Sequence, residues 1–458
     1  MKCLLTLITA LAMTAGFAKA ADAPPNIVFI LSDDQAYTDY GFMDHPVIKT
    51  PNLDKLAARS AVFTRGHVPT ALCRPSLATL ATGRYAHQHM ISGNDPASDL
   101  GKNSPGYDAL RERLISHFDK QPTLPKLLGE KGYLSHQSGK WWEGSFQRGG
   151  FTHGMTRGFP EKGGRHGDDG LKIGREGLQP IYDFVDHAQS EKKPFYLWYS
   201  PFMPHTPHTP PERLLAKYRD KVDSLNVAKY YAMCEWFDET CGQLLDYLDQ
   251  KGLTENTLVY YICDNGWIQD PDSKGYALRS KQSPNEGGTR QPIMLSWPGV
   301  IKPGKRDDLV SSIDLMPTLL SAAGARIPEN LPGVDLMPLL RDGKKLERDT
   351  IYGETFDHDV ANVDKPEDSL LFRWVIEGNW KLLLTYDGQL GANYAKTHPR
   401  TEKRPQLYDL SADPQENQNL AKDHPEIVKR LADKIAAWWP VTERQVFTEW
   451  SDEPKNWK

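Results

Sequence analysis

The sequence predicts an α/β fold with a large, mostly parallel sheet flanked by helices, followed by a small antiparallel sheet that packs with one helix. Apolar, β-branched runs alternate with helical patterns over residues 25–325, as in parallel strands connected by helices. After about residue 330 the pattern changes, because "LLFRWVIEGNWKLLLTYDG" predicts two strands joined by a tight turn and "DHPEIVKRLADKIAAWWP" predicts a helix. We therefore expect a larger α/β domain over residues 21–330 and a smaller α+β subdomain over residues 331–458.

The strands of the larger domain are predicted by short apolar runs that end in polar or glycine-containing segments. A continuous apolar run is typical of a strand that is buried on both faces of a parallel sheet. The runs are, in chain order, "PPNIVFILSDD", "SAVFTRG", "GYLSHQSGK", "PFYLWYSPFMPHTPH", "NTLVYYICDNG" and "RQPIMLSWPG". The proline- and glycine-rich segments at 150–180 and 265–290 are predicted to be surface loops.

The first twenty residues, "MKCLLTLITALAMTAGFAKA", have the pattern of a cleaved export signal. A basic start precedes an apolar stretch that is too short and too rich in Ala and Thr for a membrane span, and "AKA" forms a cleavage site. We therefore predict a signal peptide over residues 1–20 and a secreted or periplasmic protein that is not inserted in a membrane. The net charge of −5 argues against a nucleic-acid partner.

Three of the cysteines after that segment are predicted to be small buried apolar residues. Cys234 and Cys241 lie in one predicted helix, and seven helical residues rise about 10 Å, too far for a disulfide bond. Cys263 ends an apolar, strand-like run. No disulfide framework is therefore expected.

Cys73 differs from the other cysteines because of its place in "TALCRPSLATLATGR". Pro75 suits the first position of a helix, so that Cys73 lies just ahead of it, and Gly83 suits its end. Leu77 and Leu80 would face a core. Cys73 is therefore predicted to lie at a helix N-terminus, where backbone N–H groups and the helix dipole favour an anion.

Acidic and amide side chains follow two of the predicted strands. Asp33 and Asp34 follow the first strand, and Asp264 and Asn265 follow "LVYYIC". The carboxyl ends of parallel strands meet at the edge of the sheet where ligands bind. Three carboxylates and an amide oxygen suit Ca²⁺, with Mg²⁺ as the alternative, better than Zn²⁺. The sequence therefore predicts a divalent metal site at this edge.

Basic residues are predicted at the same edge. Lys140 follows "HQSG", His205 and His208 lie in "MPHTPH", and Lys281 precedes "EGGTRQP". Such groups beside a divalent metal are suited to hold an anion with several oxygens. The residues alone leave open whether this anion is a sulfate or a phosphate.

These motifs together resemble the type I sulfatases of the alkaline-phosphatase superfamily, over nearly the whole chain after residue 20. The resemblance is carried by "NIVFILSDDQAYTDYG", "CRPSLATLATGRYAHQH", "GKWW", "PHTP", "LVYYICDNG", "KQSPNEGGTRQPIMLSWPG", "DLMPTLLSAAG" and "LYDLSADPQENQNLA". It implies an alkaline-phosphatase-like fold and a sulfuric ester hydrolase. For a secreted enzyme we expect a sulfated glycan or oligosaccharide as substrate, and a role in the degradation of sulfated polysaccharide.

The resemblance also implies a role for each site residue. Cys73 aligns with a cysteine that a formylglycine-generating enzyme oxidises to formylglycine, whose hydrated aldehyde contacts calcium and attacks sulfur. Lys140 matches the lysine that binds a sulfate oxygen, and His205 and Lys281 match the pair at the leaving-group oxygen. The calcium ligands are matched by Asp33, Asp34, Asp264 and Asn265, completed by residue 73.

Two positions depart from the family pattern. Leu77 stands where the signature has an arginine, and Trp142 stands where the family has the histidine of a "GKWH" motif. Arg74 is predicted either to point into the pocket in place of that arginine or to be solvated. The candidate substrate-binding residues are Arg74, Trp142 and His208, and the candidate replacements for the missing histidine are His136, His87 and His89.

Two other functions stay open at this stage. One is a phosphatase or phosphodiesterase on the same fold, although Cys73 followed by Pro75 and Ser76 favours a sulfatase. The other is a weakened relative that binds sulfated glycan without cleaving it, and Leu77 and Trp142 are the observations that support it.

Overall fold

The computed structural model describes residues 24–97, 100–102, 104–386, 402–444, 446 and 448–450. The predicted signal peptide, residues 1–20, lies outside these residues. Within the described part of the chain, we find no helix with the length and apolar character needed to cross a bilayer.

The strands form one large sheet, a second sheet of four strands, and two short pairs. In chain order they are β1 (Asn26–Ser32), β2 (Ala61–Phe63), β3 (Gly66–His67), β4 (Asp95–Pro96), β5 (Leu134–Gly139), β6 (His153–Gly154), β7 (Phe195–Ser200), β8 (Thr257–Cys263), β9 (Ile293–Ser296), β10 (Gly304–Arg306), β11 (Val310–Ser311), β12 (Thr350–Phe356), β13 (Asp359–Val360), β14 (Leu370–Glu377), β15 (Trp380–Thr385) and β16 (Gln406–Asp409).

The large sheet has the order β10-β2-β9-β8-β1-β7-β5-β6. β1 lies in its centre and pairs in parallel with both β7 and β8. β9 runs antiparallel to β8 and β2, whereas the other described pairs are parallel. The prediction of a mostly parallel sheet is therefore confirmed.

Helices cover both faces of this sheet, which explains the continuous apolar runs of its strands. The helices are α1 (Pro51–Ala58), α2 (Cys73–Thr82), α3 (Ala86–His89), α4 (Pro105–Asp119), α5 (Leu124–Gly129), α6 (Gln179–Ser190), α7 (Glu212–Leu215), α8 (Leu225–Gln250), α9 (Glu286–Thr289), α10 (Leu315–Ala322), α11 (Met337–Asp342) and α12 (Pro425–Trp438). Phe29 of β1 packs in one core with Leu80 of α2. Its neighbour Ile30 packs on the opposite face with Phe237 of α8.

The cysteine predictions agree with this packing. Cys234 and Cys241 lie in α8, Cys263 ends β8, and all three are free and buried.

The second sheet is antiparallel throughout, in the order β12-β14-β15-β16. Glu377 pairs with Trp380 across the predicted tight turn. The predicted helix is α12, and its buried face packs on Val375 and Leu382 of the sheet. The sequence analysis did not identify β12, which adds the fourth strand.

Candidate active site

The predicted acidic, amide and lysine residues meet at the carboxyl edge of the large sheet. Asp33 and Asp34 follow β1, Asp264 and Asn265 follow the neighbouring β8, and Lys140 follows β5. All five residues are completely buried. The parallel pairing of these strands therefore brings together groups that are more than 200 positions apart in the chain.

The backbone at Asp34 is adapted to this arrangement. Asp34 has a φ of +64°, a left-handed conformation that is unfavourable for a residue with a Cβ atom. Its N–H donates to Asp264 Oδ1 at 3.1 Å, and Asn265 Nδ2 donates to Asp34 Oδ1 at 2.7 Å. These contacts across the two strand ends hold the conformation that directs the Asp34 carboxylate into the site.

Cys73 lies at a helix N-terminus, as predicted, but α2 begins at Cys73 itself, two residues before the predicted start at Pro75. Gly83, with a φ of +65°, caps its end. Ser76 Oγ donates to the backbone oxygen of Asp264 at 2.6 Å and so fixes the helix start against β8. Lys281 Nζ lies 3.1 Å from Cys73 Sγ. The thiol at position 73 therefore lies beside the carboxylate cluster, at the positive end of a helix.

Two lysines neutralise only part of the charge of the three carboxylates. Lys140 Nζ lies 2.8 Å from Asp33 Oδ1 and 3.4 Å from Asp264 Oδ2. Lys281 Nζ contacts both carboxylate oxygens of Asp34 at 2.7 Å. Burial opposes the ionisation of Asp34, but Lys281, His205 and Lys140 together outweigh it and lower the pKa of Asp34 to about 2. Burial and the Asp264 carboxylate raise the pKa of Asp33.

The residues fit a divalent cation that prefers oxygen ligands. Asp33 Oδ2 and Asn265 Oδ1 are buried and have no hydrogen-bond partner in the described part of the chain. Ligand atoms of Asp33, Asp34, Cys73 and His205 all lie within 4.8 Å of one another. This group shares Asp33, Asp34 and Cys73 with the predicted ligand set. A cation would satisfy the unpaired oxygens and complete the charge balance.

His205 lies in the loop after β7, at the outer side of the carboxylates. Its Nε2 atom is 3.3 Å from Asp34 Oδ2, and its Nδ1 atom is 2.6 Å from the backbone oxygen of Thr206. The ring stacks on Phe202 with centroids 4.2 Å apart. Burial lowers the pKa of His205, more than the neighbouring carboxylates raise it. His205 is therefore oriented on two sides, with one edge towards the opening.

A cavity of about 310 Å³ opens directly above Cys73, Lys140, His205 and Lys281. This volume lies at the lower end of the range typical of small-molecule sites, about 300–1,000 Å³. Part of its wall comes from the two segments that the sequence predicted to be surface loops. Those segments contribute Arg165 and His166, and Trp267, Lys274 and Tyr276.

Trp142 lines the cavity, as predicted, whereas His208 is not among the lining residues. The Trp142 ring is held between His166, at 5.3 Å, and the Arg165 guanidinium, at 4.6 Å. His208 lies behind the wall, 6.0 Å from the ring of Trp267.

His166 and His358 line the cavity, and the sequence analysis identified neither of them. Burial, with the positive charge of Lys140, lowers the pKa of His166 to about 3, so the ring is neutral at ordinary pH. None of the three proposed replacements, His87, His89 and His136, lines the cavity. His166 lies in a loop whose sequence has no periodicity that would predict the direction of its side chain. Its place in the site is evident only from its contact with Trp142 in the structure.

Arg74 is neither solvated nor a lining residue of the cavity. Its side chain is completely buried, and Nε and Nη2 each donate to a Glu143 carboxylate oxygen at 2.7 Å. Nη1 donates to the backbone oxygen of Asn94 at 3.2 Å. Because Glu143 follows closely after Lys140, this ion pair fixes the start of α2 relative to the segment after β5. Leu77 packs in the same hydrophobic core as Trp142.

The loop that carries Lys281 (residues 279–286, the Lys281 loop) is anchored at both ends to Glu416, in the segment that follows β16 of the second sheet. Arg279 Nη1 donates to the Glu416 backbone oxygen at 2.7 Å, and the N–H of Glu286 donates to Glu416 Oε2 at 2.8 Å. Lys381 of β15 lies 2.9 Å from Glu286 and 3.0 Å from Glu416, and all three side chains are buried. The smaller sheet therefore helps to position a residue of the site.

The site combines a cluster of buried carboxylates, a cysteine at a helix N-terminus, and two lysines and a histidine around them. Such a combination is suited to the hydrolysis of oxyanion esters. A sulfatase family model matches residues 25–325. A model of the C-terminal part of N-sulphoglucosamine sulphohydrolase matches residues 278–439.

Individual relatives agree with these matches. Bovine (Bos taurus) arylsulfatase A is 31% identical over 468 residues, which cover 90% of this chain and 85% of that protein. The N-acetylgalactosamine-6-sulfatase of the dog (Canis lupus familiaris) is 29% identical over 386 residues, 73% of this chain and 69% of that protein. The crystal structure of Ps i-CgsB has a TM-score of 0.71 at 25% identity and covers 93% of this chain and 95% of that chain. The same protein has also been crystallised in complex with k-i-k-neocarrahexaose. The chain belongs to the sulfatase family and is a sulfuric ester hydrolase.

Proposed function

We propose that this sulfatase removes sulfate from a sulfated glycan or oligosaccharide outside the cytoplasm, with formylglycine at position 73 and a bound Ca²⁺ ion. The observation that carries the proposal is the position of Cys73 at the start of α2. Its Sγ atom lies 3.1 Å from Lys281 Nζ and within 4.8 Å of carboxylate oxygens of Asp33 and Asp34. The names of the similar sulfatases and the oligosaccharide complex support a carbohydrate substrate. The predicted signal peptide supports export.

The nucleophile of the proposed reaction requires maturation of Cys73. Oxidation to formylglycine by a formylglycine-generating enzyme would supply a geminal diol, which a thiol cannot. The helix N-terminus favours the negative charge that develops at this side chain.

Asp33, Asp34, Asp264 and Asn265 would hold the calcium ion, with residue 73 completing the set. When bound, Ca²⁺ supplies positive charge that draws electron density from a sulfate oxygen. Mg²⁺ is the alternative cation for this oxygen set.

The cationic side chains have distinct tasks in this proposal. Lys140 and Lys281 both line the cavity, and Lys140 binds an oxygen of the sulfate group. His205 lies with Lys281 at the position of the leaving-group oxygen, where one of the two donates a proton to the departing sugar. His166 is neutral and faces Trp142, so it orients the sugar or accepts a hydrogen bond from it.

The decisive experiment co-expresses the chain with a formylglycine-generating enzyme. Mass spectrometry of the peptide that contains residue 73 measures the modification, and ion chromatography measures sulfate release from 4-nitrophenyl sulfate and sulfated saccharides. Cys73→Ala should abolish sulfate release, whereas the matched control Cys241→Ala, at a buried helical cysteine far from the site, should retain it. An active Cys73→Ala variant contradicts the nucleophile assignment. A fully modified enzyme that releases phosphate but no sulfate contradicts the sulfatase assignment.

A further inference from the structure

The walls of the cavity carry more positive charge than one sulfate ester requires. In addition to Lys140 and Lys281 at its floor, Arg165 and Lys274 line its sides, together with three histidines. Among the described residues, no aspartate or glutamate lines the cavity. The two floor lysines are already paired with Asp33 and Asp34, so the wall cations represent a separate group of positive charges.

Arg165 belongs to a cluster in which the cations outnumber the anions. Its Nε and Nη2 atoms both contact Asp95 Oδ2, while Arg111 Nη1 contacts Asp95 Oδ1 at 2.8 Å. One carboxylate is thus shared by two guanidinium groups. Nη1 of Arg165 has no partner in the described part of the chain, and the side chain is 41% exposed. The guanidinium is therefore fixed in place and still able to bind an anion.

Lys274 stands on another wall of the same cavity, in the loop after β8. Its side chain is exposed and forms no ion pair with any described residue. The acidic Asp270 of this loop does not line the cavity, and its carboxylate accepts hydrogen bonds from Asp272 and Ser273 instead. Lys274 is therefore available to a ligand in the cavity.

We propose that Arg165 and Lys274 form a second oxyanion subsite, so that the substrate is a saccharide with another anionic group besides the sulfate that is cleaved. This inference rests on the proposed function and specifies its substrate class. The second group is a carboxylate or a second sulfate, since both present the oxygens that a guanidinium and an ammonium bind. Trp142, whose ring lies 4.6 Å from the Arg165 guanidinium, lines the same cavity.

The test measures binding, so that it does not depend on turnover. Isothermal titration calorimetry on the Ca²⁺-loaded Cys73→Ala protein gives Kd for matched saccharide pairs from the glucosamine and galactosamine series. Each pair consists of a 6-sulfated monosaccharide and the same sugar with either a second sulfate or a linked uronate. The two kinds of pair distinguish the two sources of the second anion.

In the parent protein, the second anion should lower Kd by at least tenfold in one or more pairs. Arg165→Gln and Lys274→Gln are each introduced into the same Cys73→Ala background. In each variant the second anion should lower Kd by less than threefold. The control Arg157→Gln changes an exposed arginine of the same loop region that pairs with Asp169 outside the cavity, and it should preserve the decrease in Kd.

Three outcomes overturn the subsite. The first is that the second anion lowers Kd by less than twofold in every pair. The others are that the decrease in Kd is kept in both subsite variants, or that it is lost equally in the Arg157→Gln control. Failure of the proposed function gives a different result, because the parent enzyme with formylglycine in place would then release no sulfate from any substrate.

Discussion

The Arg74–Glu143 ion pair makes a sharp prediction about stability. Both side chains are almost completely buried, with relative exposures of 0% and 3%. Glu143→Gln removes the negative charge and leaves a buried guanidinium that cannot lose its proton. Breaking one side of a buried pair costs about 3–5 kcal/mol, so the equilibrium constant for unfolding should rise by roughly two to four orders of magnitude.

Urea unfolding followed by tryptophan fluorescence measures this change. The control is Glu112→Gln, because Glu112 pairs with Arg148 at the surface, with relative exposures of 49% and 26%. An exposed pair contributes about 0–1 kcal/mol, so the control should differ little from the parent. Arg74→Met should cost less than Glu143→Gln, since a buried carboxyl group can take up a proton.

The double variant Arg74→Met/Glu143→Leu completes the test. Replacing a buried pair by apolar residues of similar volume is often close to neutral, so most of the lost stability should return. If Glu143→Gln is as stable as the surface control, the ion pair does not anchor the start of α2. A normal formylglycine content in Arg74→Met would then show that maturation does not depend on the pair either.

Three further predictions concern the metal, the Lys140 backbone and the smaller sheet. Prolonged chelation should remove most of the sulfatase activity, and added Ca²⁺ should restore it. If metal analysis shows that the chelated protein is metal-free and the protein is still fully active, the metal site is wrong. Gly139→Ala should prevent folding or abolish activity, because a Cβ atom there would lie 1.7 Å from the Ser200 backbone oxygen at a φ of +91°; soluble, fully active protein would contradict this. Lys381→Met should destabilise the protein by about 3–5 kcal/mol, because it removes the cation that the buried Glu286 and Glu416 share and leaves Glu416 with no ion pair among the described residues. An unchanged urea midpoint would contradict this.

The sequence was sufficient to predict the sheet and the floor of the site because both rest on local patterns. The apolar run of β1 followed by Asp33 and Asp34, and the similar run before Asp264, place acidic groups at strand ends without any knowledge of pairing. Parallel topology then brings them together. The helix at Cys73 was equally predictable from its proline and glycine positions.

The walls and the buried ion pairs were not predictable in this way. Arg165, His166 and Lys274 lie in loops, where no periodicity fixes the direction of a side chain. Glu143 lies 69 positions after Arg74, and only the tertiary structure pairs them. From the sequence, Arg74 was expected to be either a pocket residue or a solvated one. In the structure it is neither, because it is buried and paired with Glu143.

The anchoring of the Lys281 loop by Lys381 and Glu416 has a consequence for the evolution of this protein. The two family models overlap over residues 278–325, the stretch in which the loop and Glu286 lie. A gene fusion that exchanged the smaller sheet with that of another sulfatase would preserve every residue of the carboxylate cluster. It would still displace Lys281 unless the incoming segment supplied a cation and a carboxylate at the positions of Lys381 and Glu416. We expect these two positions to be inherited together with Glu286, so that the two parts of the chain diverge as one lineage rather than as interchangeable modules.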